Sequence, residues 1–441
     1  MAFDLLIRNG TVVTSSHQEV ADIGIVDGKI AAIGSLRDST SHETIDATGL
    51  SILPGVIDTQ VHFREPGLEH KEDLATGTLA ALVGGVTAIL EMPNTNPNTT
   101  SPEALQDKLD RAAGRASCHY GFFFGASAEN ASQLGEYENL PGTPGIKIFM
   151  GSSTGSLLVD DQEALRQVLL HGHKRCPIHA EDEARNRERK ALISDHPHAR
   201  EHPFLRDAES AKIATERIIA LSEETGRPVH ILHISTAIEP PIIAAAKKRG
   251  SKITAEVTPQ HLWFAGPDCY DRLGTLAQMN PPIRSEADRA GLWEALHAGT
   301  FEVFGSDHAP HTLEEKAQPY PKSPSGMPGV QTLLPVLLTF AAQRKLDLAT
   351  IVRMACENPA RLYGITNKGF IQTGYDADLV LVDPNRRYTF ERSMVKSKCG
   401  WSPYEGETFC GGIEQVILNG HVAAIAGEPI GAPSGQMLRF S

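Results

Sequence analysis

Between residues 53 and 363 the chain alternates short apolar, β-branched runs with amphipathic helical stretches, and it does so eight times. The strand candidates are 55–63, 85–92, 119–126, 145–150, 176–180, 229–235, 253–258 and 302–306. Between them, 71–83, 102–114, 161–173, 207–225, 238–249 and 287–297 carry apolar residues at helical spacing. Eight strands alternating with helices predict an α/β fold, a (β/α)₈ TIM-like barrel. The ends of the chain read differently. Residues 4–8, 11–14, 21–26 and 29–33 are short alternating runs split by Asn9-Gly10 and Asp27-Gly28, both hairpin signals. Residues 378–382 and 415–418 repeat that pattern, with a further turn at Asn419-Gly420. The expectation is a barrel over 53–365 and a small β-sandwich domain formed by both termini, 1–52 and 366–441. Glycine-rich 151–156 and proline-rich 318–329 read as loops.

The net charge of −13 disfavours nucleic acid or an anionic membrane surface as partner, since both require a positive field. An anionic substrate must therefore meet a local cation inside a pocket. The six cysteines are scattered, with no Cys-x-x-Cys pair, so a zinc knuckle or a disulfide framework is not expected. The N-terminus lacks a signal-peptide pattern and no run of about 18 apolar residues occurs, which makes the reducing cytoplasm the expected location.

Five segments end a strand candidate with a metal-capable or ionisable side chain: His62, Lys147, His179, His233 and Asp307. A parallel barrel gathers the C-terminal ends of its strands at one mouth, where such enzymes place their chemistry. Imidazole and carboxylate suit Zn²⁺ and similar ions. One histidine on an apolar strand is usually a hydrogen-bonded core residue; three at strand ends, joined by an aspartate, favour metal. Lys147, between Ile146 and Ile148, has two readings. A lone lysine there can snorkel to the rim. Burial can instead lower its pKa so that the neutral amine captures CO₂ as a carbamate, an anion able to bridge two metals, and its neighbours favour this second reading.

These five segments resemble the amidohydrolase superfamily, in the branch of cyclic amidohydrolases that holds dihydroorotases, hydantoinases and allantoinases. Leu6-Ile7-Arg8-Asn9-Gly10 and Gly374-Tyr375-Asp376-Ala377-Asp378 resemble its flanking sheet domain, and Ile146-Lys147-Ile148-Phe149-Met150 its carboxylated-lysine strand. His62-Phe63-Arg64-Glu65-Pro66-Gly67, Met92-Pro93-Asn94-Thr95-Asn96-Pro97 and Asp307-His308-Ala309-Pro310-His311 resemble the dihydroorotases within that branch. The resemblance implies a hydrolase interconverting dihydroorotate and N-carbamoyl-L-aspartate in pyrimidine biosynthesis. It implies one or two zinc ions on His62, carboxylated Lys147, His179, His233 and Asp307, with Asp307 as general acid and base. Arg64, Asn94 and His311 would hold the substrate carboxylate, while His308 would be structural. Asn280, in Met279-Asn280-Pro281-Pro282, would contact the ring amide, although an Asn-Pro-Pro turn explains itself without a ligand. A homodimer and an association with aspartate transcarbamoylase are the assemblies the resemblance suggests.

The chain departs from the family at one position. Where the first strand carries His-x-His after its aspartate, this chain has Asp58-Thr59-Gln60-Val61-His62, and an amide oxygen is a far weaker zinc ligand than imidazole. The consequence is either one tight metal and one labile metal, or an inactive scaffold partner of aspartate transcarbamoylase. Retention of every other ligand favours activity. The nearest enzymatic alternative is a hydantoinase or allantoinase, whose substrates lack the ring carboxylate.

Overall fold

The computed structural model describes residues 2–152 and 157–441. Eight parallel strands form the barrel: Val56–Val61, Val86–Glu91, an interrupted third (His119–Phe122 and Phe124–Gly125), Ile146–Phe149, Cys176–His179, Val229–Ile231, Ile253–Val257 and Val303–Phe304. The third strand breaks at buried Phe123, whose N–H bonds back to Glu91 O, while Phe124 N–H bonds forward to Gly145 O. The seam between the eighth and first strands is closed partly by a side chain. Ser306 N–H donates to the buried Asp58 carboxylate at 3.0 Å, and His62 N–H donates to His308 O at 2.7 Å. Every residue of these strands is buried, because helices cover the barrel from outside and side chains fill its interior.

The helices start where side-chain caps occur. Asp73, Ser101, Asp161 and Asp207 each accept from the backbone N–H three residues on, opening Leu74–Val83, Pro102–Ala112, Gln162–Leu170 and Ala208–Thr225. Ser285 and Asp288 form a capping box at Glu286–His297. Glu239–Lys248 completes the six helices expected from spacing. Of the loop read at 151–156, residues 153–156 lie outside the described residues.

Both termini build a separate nine-stranded sheet. The Ala2–Val13 strand pairs with three neighbours: Gln18–Val26 antiparallel, and Thr40–Asp46 and Ser51–Pro54 parallel. This branching lets the sheet enclose its own core, which includes Leu5, Ile23, Ile45, Leu379 and Ile417. Asp27-Gly28 and Asn419-Gly420 turn the chain as expected, with positive φ at all four residues. Asn9-Gly10 does not. There the strand runs straight on, and Asn9 (φ 62°) forms a bulge between the Ile7 and Gly10 pairings. Gly10 is packed so closely that a Cβ would meet Ile52 Cδ1 at 2.4 Å, so glycine serves packing there rather than reversal. Among the described residues no helix is long and apolar enough to cross a membrane.

Candidate active site

The barrel mouth brings the ends of the first, fourth, fifth, sixth and eighth strands together, and the five side chains they carry are all buried. They meet as two pairs. His62 Nε2 lies 3.3 Å from Asp307 Oδ1, and His179 Nδ1 lies 3.0 Å from His233 Nε2. Asn94 Oδ1 takes the His62 Nδ1–H at 2.7 Å, which leaves the Nε2 lone pair facing Asp307. Glu181 Oε2 takes the His179 Nε2–H at 2.9 Å, so the Nδ1 lone pair faces His233. Carboxylate or amide partners behind the imidazoles fix tautomer and ring orientation in metal centres. Burial lowers the pKa of all three histidines, so each is a neutral donor near pH 7.

Lys147 stands among these pairs. Its ammonium would bear electrostatically on His62, His179, His233 and Asp307. Its side chain is fully buried, Nζ has no hydrogen-bond partner among the described residues, and it lies over the Phe149 ring, 4.4 Å from the centroid. Burial pulls this amine down to about 7, against the opposing pull of Asp307 and Glu256. The snorkelling alternative is not what the structure shows. Burial likewise raises the Asp307 carboxyl to about 7. Gln60 Nε2 donates to Asp307 Oδ1 at 3.1 Å, and Gln60 Oε1 is buried without a partner among the described residues.

Arg64 follows His62 by two residues, in the left-handed region at φ 68°. Its guanidinium is buried; Nε donates to Pro310 O at 3.1 Å, and Nη1 has no partner among the described residues. His311 sits 3.4 Å from Arg64 Nη2 but is held on both sides. Its Nε2 donates to Ser325 O at 3.0 Å, and its Nδ1 accepts from Lys71 Nζ at 3.1 Å. His308 does what a structural residue does: its Nδ1 accepts from Gly329 and Val330 N–H, fixing the return of the chain behind the eighth strand.

Asn280 lines a cavity of about 570 Å³ together with His202, Arg206, Gln278, Tyr320 and Ser325. Arg206 pairs with Glu181 behind His179, so one arginine joins the cavity wall to the imidazole pair. Sequence reasoning missed Glu181, Arg206, His202 and Glu256. Glu181 carried a signal, a carboxylate two residues beyond His179 at a strand end. Glu256, inside the seventh strand, was as out of place in an apolar run as Lys147; it accepts from Thr59 Oγ1 and His230 Nε2 in the barrel interior. His202 lies on a short helix with no pattern around it.

Comparison with known proteins agrees with this architecture. The model of the amidohydrolase family matches residues 51–423. The chain belongs to the amidohydrolase family. Among curated amidohydrolases it is 37% identical to a dihydroorotase of Methanosarcina mazei, covering 91% of this chain and 90% of that one. It is 36% identical to an allantoinase of Rubrobacter xylanophilus, covering 99% and 98%. Its fold superposes on the L-hydantoinase of Arthrobacter aurescens with a TM-score of 0.93 at 29% identity, covering 99% of both chains. The amidohydrolase barrel and the terminal sheet are thus shared across enzymes named for different rings. The substrate must be argued from the residues at the mouth.

Proposed function

We propose that this amidohydrolase is a metal-dependent dihydroorotase, opening dihydroorotate to N-carbamoyl-L-aspartate and closing it again. The observation that carries the substrate is Arg64, a buried guanidinium whose Nη1 lacks a partner among the described residues, two residues from His62. A buried donor left unmade is costly, and a planar guanidinium matches a carboxylate in bidentate fashion. Dihydroorotate bears such a carboxylate on its ring. Allantoin and hydantoin do not, which would leave Nη1 unmet. The near-complete alignment with an allantoinase keeps a neutral ring as the second reading.

The residues present fit a divalent metal centre. Among the described residues no three His, Cys, Asp or Glu side chains form a ready-made site. The donors instead come in pairs 3.3 and 3.0 Å apart, near the roughly 3.3 Å between ligand atoms of tetrahedral zinc. The unpartnered Lys147 amine is the missing piece. Carboxylated, it would be the anion that joins the two pairs in holding the metal, and the Gln60 oxygen, unpartnered among the described residues, would be a weak addition beside His62 and Asp307. A divalent ion held there would supply a nucleophilic water at neutral pH and a Lewis acid for the ring carbonyl.

The protein's own groups do the rest. Arg64 fixes the substrate carboxylate and so places the reacting carbonyl. Asp307, whose carboxyl burial raises from its ordinary value in the metal-free protein, would take a proton from the attacking water and return it to the departing ring nitrogen. Asn94 and Glu181 keep the imidazole lone pairs pointed inward.

Two expected results follow from this arrangement. Arg64→Ala should raise KM for dihydroorotate by about 10- to 100-fold, the worth of a charge-assisted hydrogen bond, while leaving hydantoin kinetics unchanged. Steady-state assays on dihydroorotate, hydantoin and allantoin decide both this and the substrate; equal losses on charged and neutral rings would remove the carboxylate assignment. Glu181→Gln should weaken metal binding by roughly 10- to 100-fold by freeing His179. Competition with a chromophoric chelator measures that directly, and unchanged affinity would show that Glu181 does not orient the ligand.

A further inference from the structure

His202 is buried and has four polar neighbours. Its Nε2 lies 2.9 Å from Met279 O and 2.9 Å from Asn280 Oδ1, with Ser325 Oγ more distant at 3.5 Å. Its Nδ1 lies 3.4 Å from Tyr320 OH. A backbone carbonyl can only accept, so Nε2 must carry the ring proton. Burial, aided by Arg206, lowers His202 to about 4, so near pH 7 it has that one proton and Nδ1 accepts from the tyrosine hydroxyl. The consequence falls on Asn280. Turned the other way, its NH₂ would point at an N–H; its oxygen must therefore face His202, and its two N–H donors are left for the cavity.

The loops around this pair leave little room for rearrangement. Lys316 Nζ donates to Gln278 O, Pro324 O and Gly326 O, and Gln278 Nε2 donates to Ser323 O and Ser325 Oγ. The same Ser325 carbonyl receives His311 Nε2–H, so the cavity wall is continuous with the Arg64 side of the mouth.

We propose that His202 is a positioning residue that sets Asn280 as a donor, so that the cavity reads the carbonyl oxygen of the ring amide that is not hydrolysed. The inference deepens the cyclic-amide reading and rests on it, but it does not depend on which ring is the substrate. A ring lacking that acceptor, or carrying sulfur in its place, forfeits the contact.

The test compares dihydroorotate with its 2-thio analogue, and hydantoin with 2-thiohydantoin, in wild type, His202→Leu, His202→Gln and Asn280→Ala. Wild type should prefer oxygen over sulfur in KM by about 10-fold. Asn280→Ala and His202→Leu should raise KM for the oxo ring by about 10-fold, leave kcat within about threefold, and erase the preference. His202→Gln retains an N–H able to face Met279 O and Asn280 Oδ1, and should restore both. If His202→Leu keeps the oxo/thio ratio of wild type, the inference is overturned. It is also overturned if the leucine and glutamine variants lose kcat equally, since that marks a merely structural histidine. Calorimetric binding of the same four rings gives the ratio as Kd. Absence of turnover by wild type would then sink the functional reading while the ratio still decides the role of His202.

Discussion

Alanine at position 147 should abolish metal retention and turnover together, lowering kcat by about 10³-fold or more. The reason lies in how the mouth is built. His62 with Asp307, and His179 with His233, are two incomplete donor pairs, and the buried amine acts on both. Without a bridging anion neither pair closes around an ion. The fold should survive, because the substitution removes a buried polar atom that has no partner among the described residues and was costly to bury. Metal analysis and thermal melting of the purified variant separate these outcomes. Short carboxylates such as acetate, added at high concentration, should restore part of the metal and part of the rate. A Lys147→Ala protein that binds metal as wild type does would remove the carbamate from the mechanism.

Asp307→Asn should lower kcat by roughly 10² to 10⁴, and by more if metal is also lost. The change keeps the volume, and Gln60 Nε2 retains an oxygen to donate to. In the metal-free protein burial raises this carboxyl to about 7, and a cation held beside it would pull it back down, so in the loaded enzyme it titrates below that value. Hydrolysis needs the ionised base, so kcat/KM for ring opening should rise as pH climbs through that lowered pKa. Ring closure needs the protonated form and should fall over the same range. The variant should lose both slopes. A pH profile of ring opening that falls across neutrality in wild type would contradict the role given to Asp307.

The barrel was legible because its signals are long and repeated. Strand and helix alternate with enough apolar residues that the six expected helices appear within a few residues of their expected ends, each but Glu239–Lys248 opened by a side-chain cap. The terminal sheet was legible at Asp27-Gly28 and Asn419-Gly420, where positive φ requires such residues. Asn9-Gly10 misled because the same pair serves a bulge, and only the packing of Ile52 on Gly10 distinguishes the two uses. Thr40–Asp46 went unread since it is largely exposed and polar. At the mouth, strand-end residues could be read because a barrel places them together. What could not be read lies one layer behind. Asn94 was expected to hold substrate; that its oxygen also faces His62, behind the imidazole, is a contact no local pattern encodes. His311 was assigned to the same carboxylate; its contacts to Lys71 and Ser325, which hold the ring beside Arg64, were not readable in the sequence. Arg206 reaches Glu181 from a segment 25 residues away in sequence, a distance no local pattern encodes.

Diffraction from crystals of the zinc-loaded protein, with anomalous data at the zinc edge, tests the centre most directly. The expected map shows Lys147 Nζ extended by a planar carboxylate, with an ion beside His179 and His233 and full or partial occupancy beside His62, Asp307 and Gln60. A bare amine at Lys147 with no anomalous peak at the barrel mouth would contradict it.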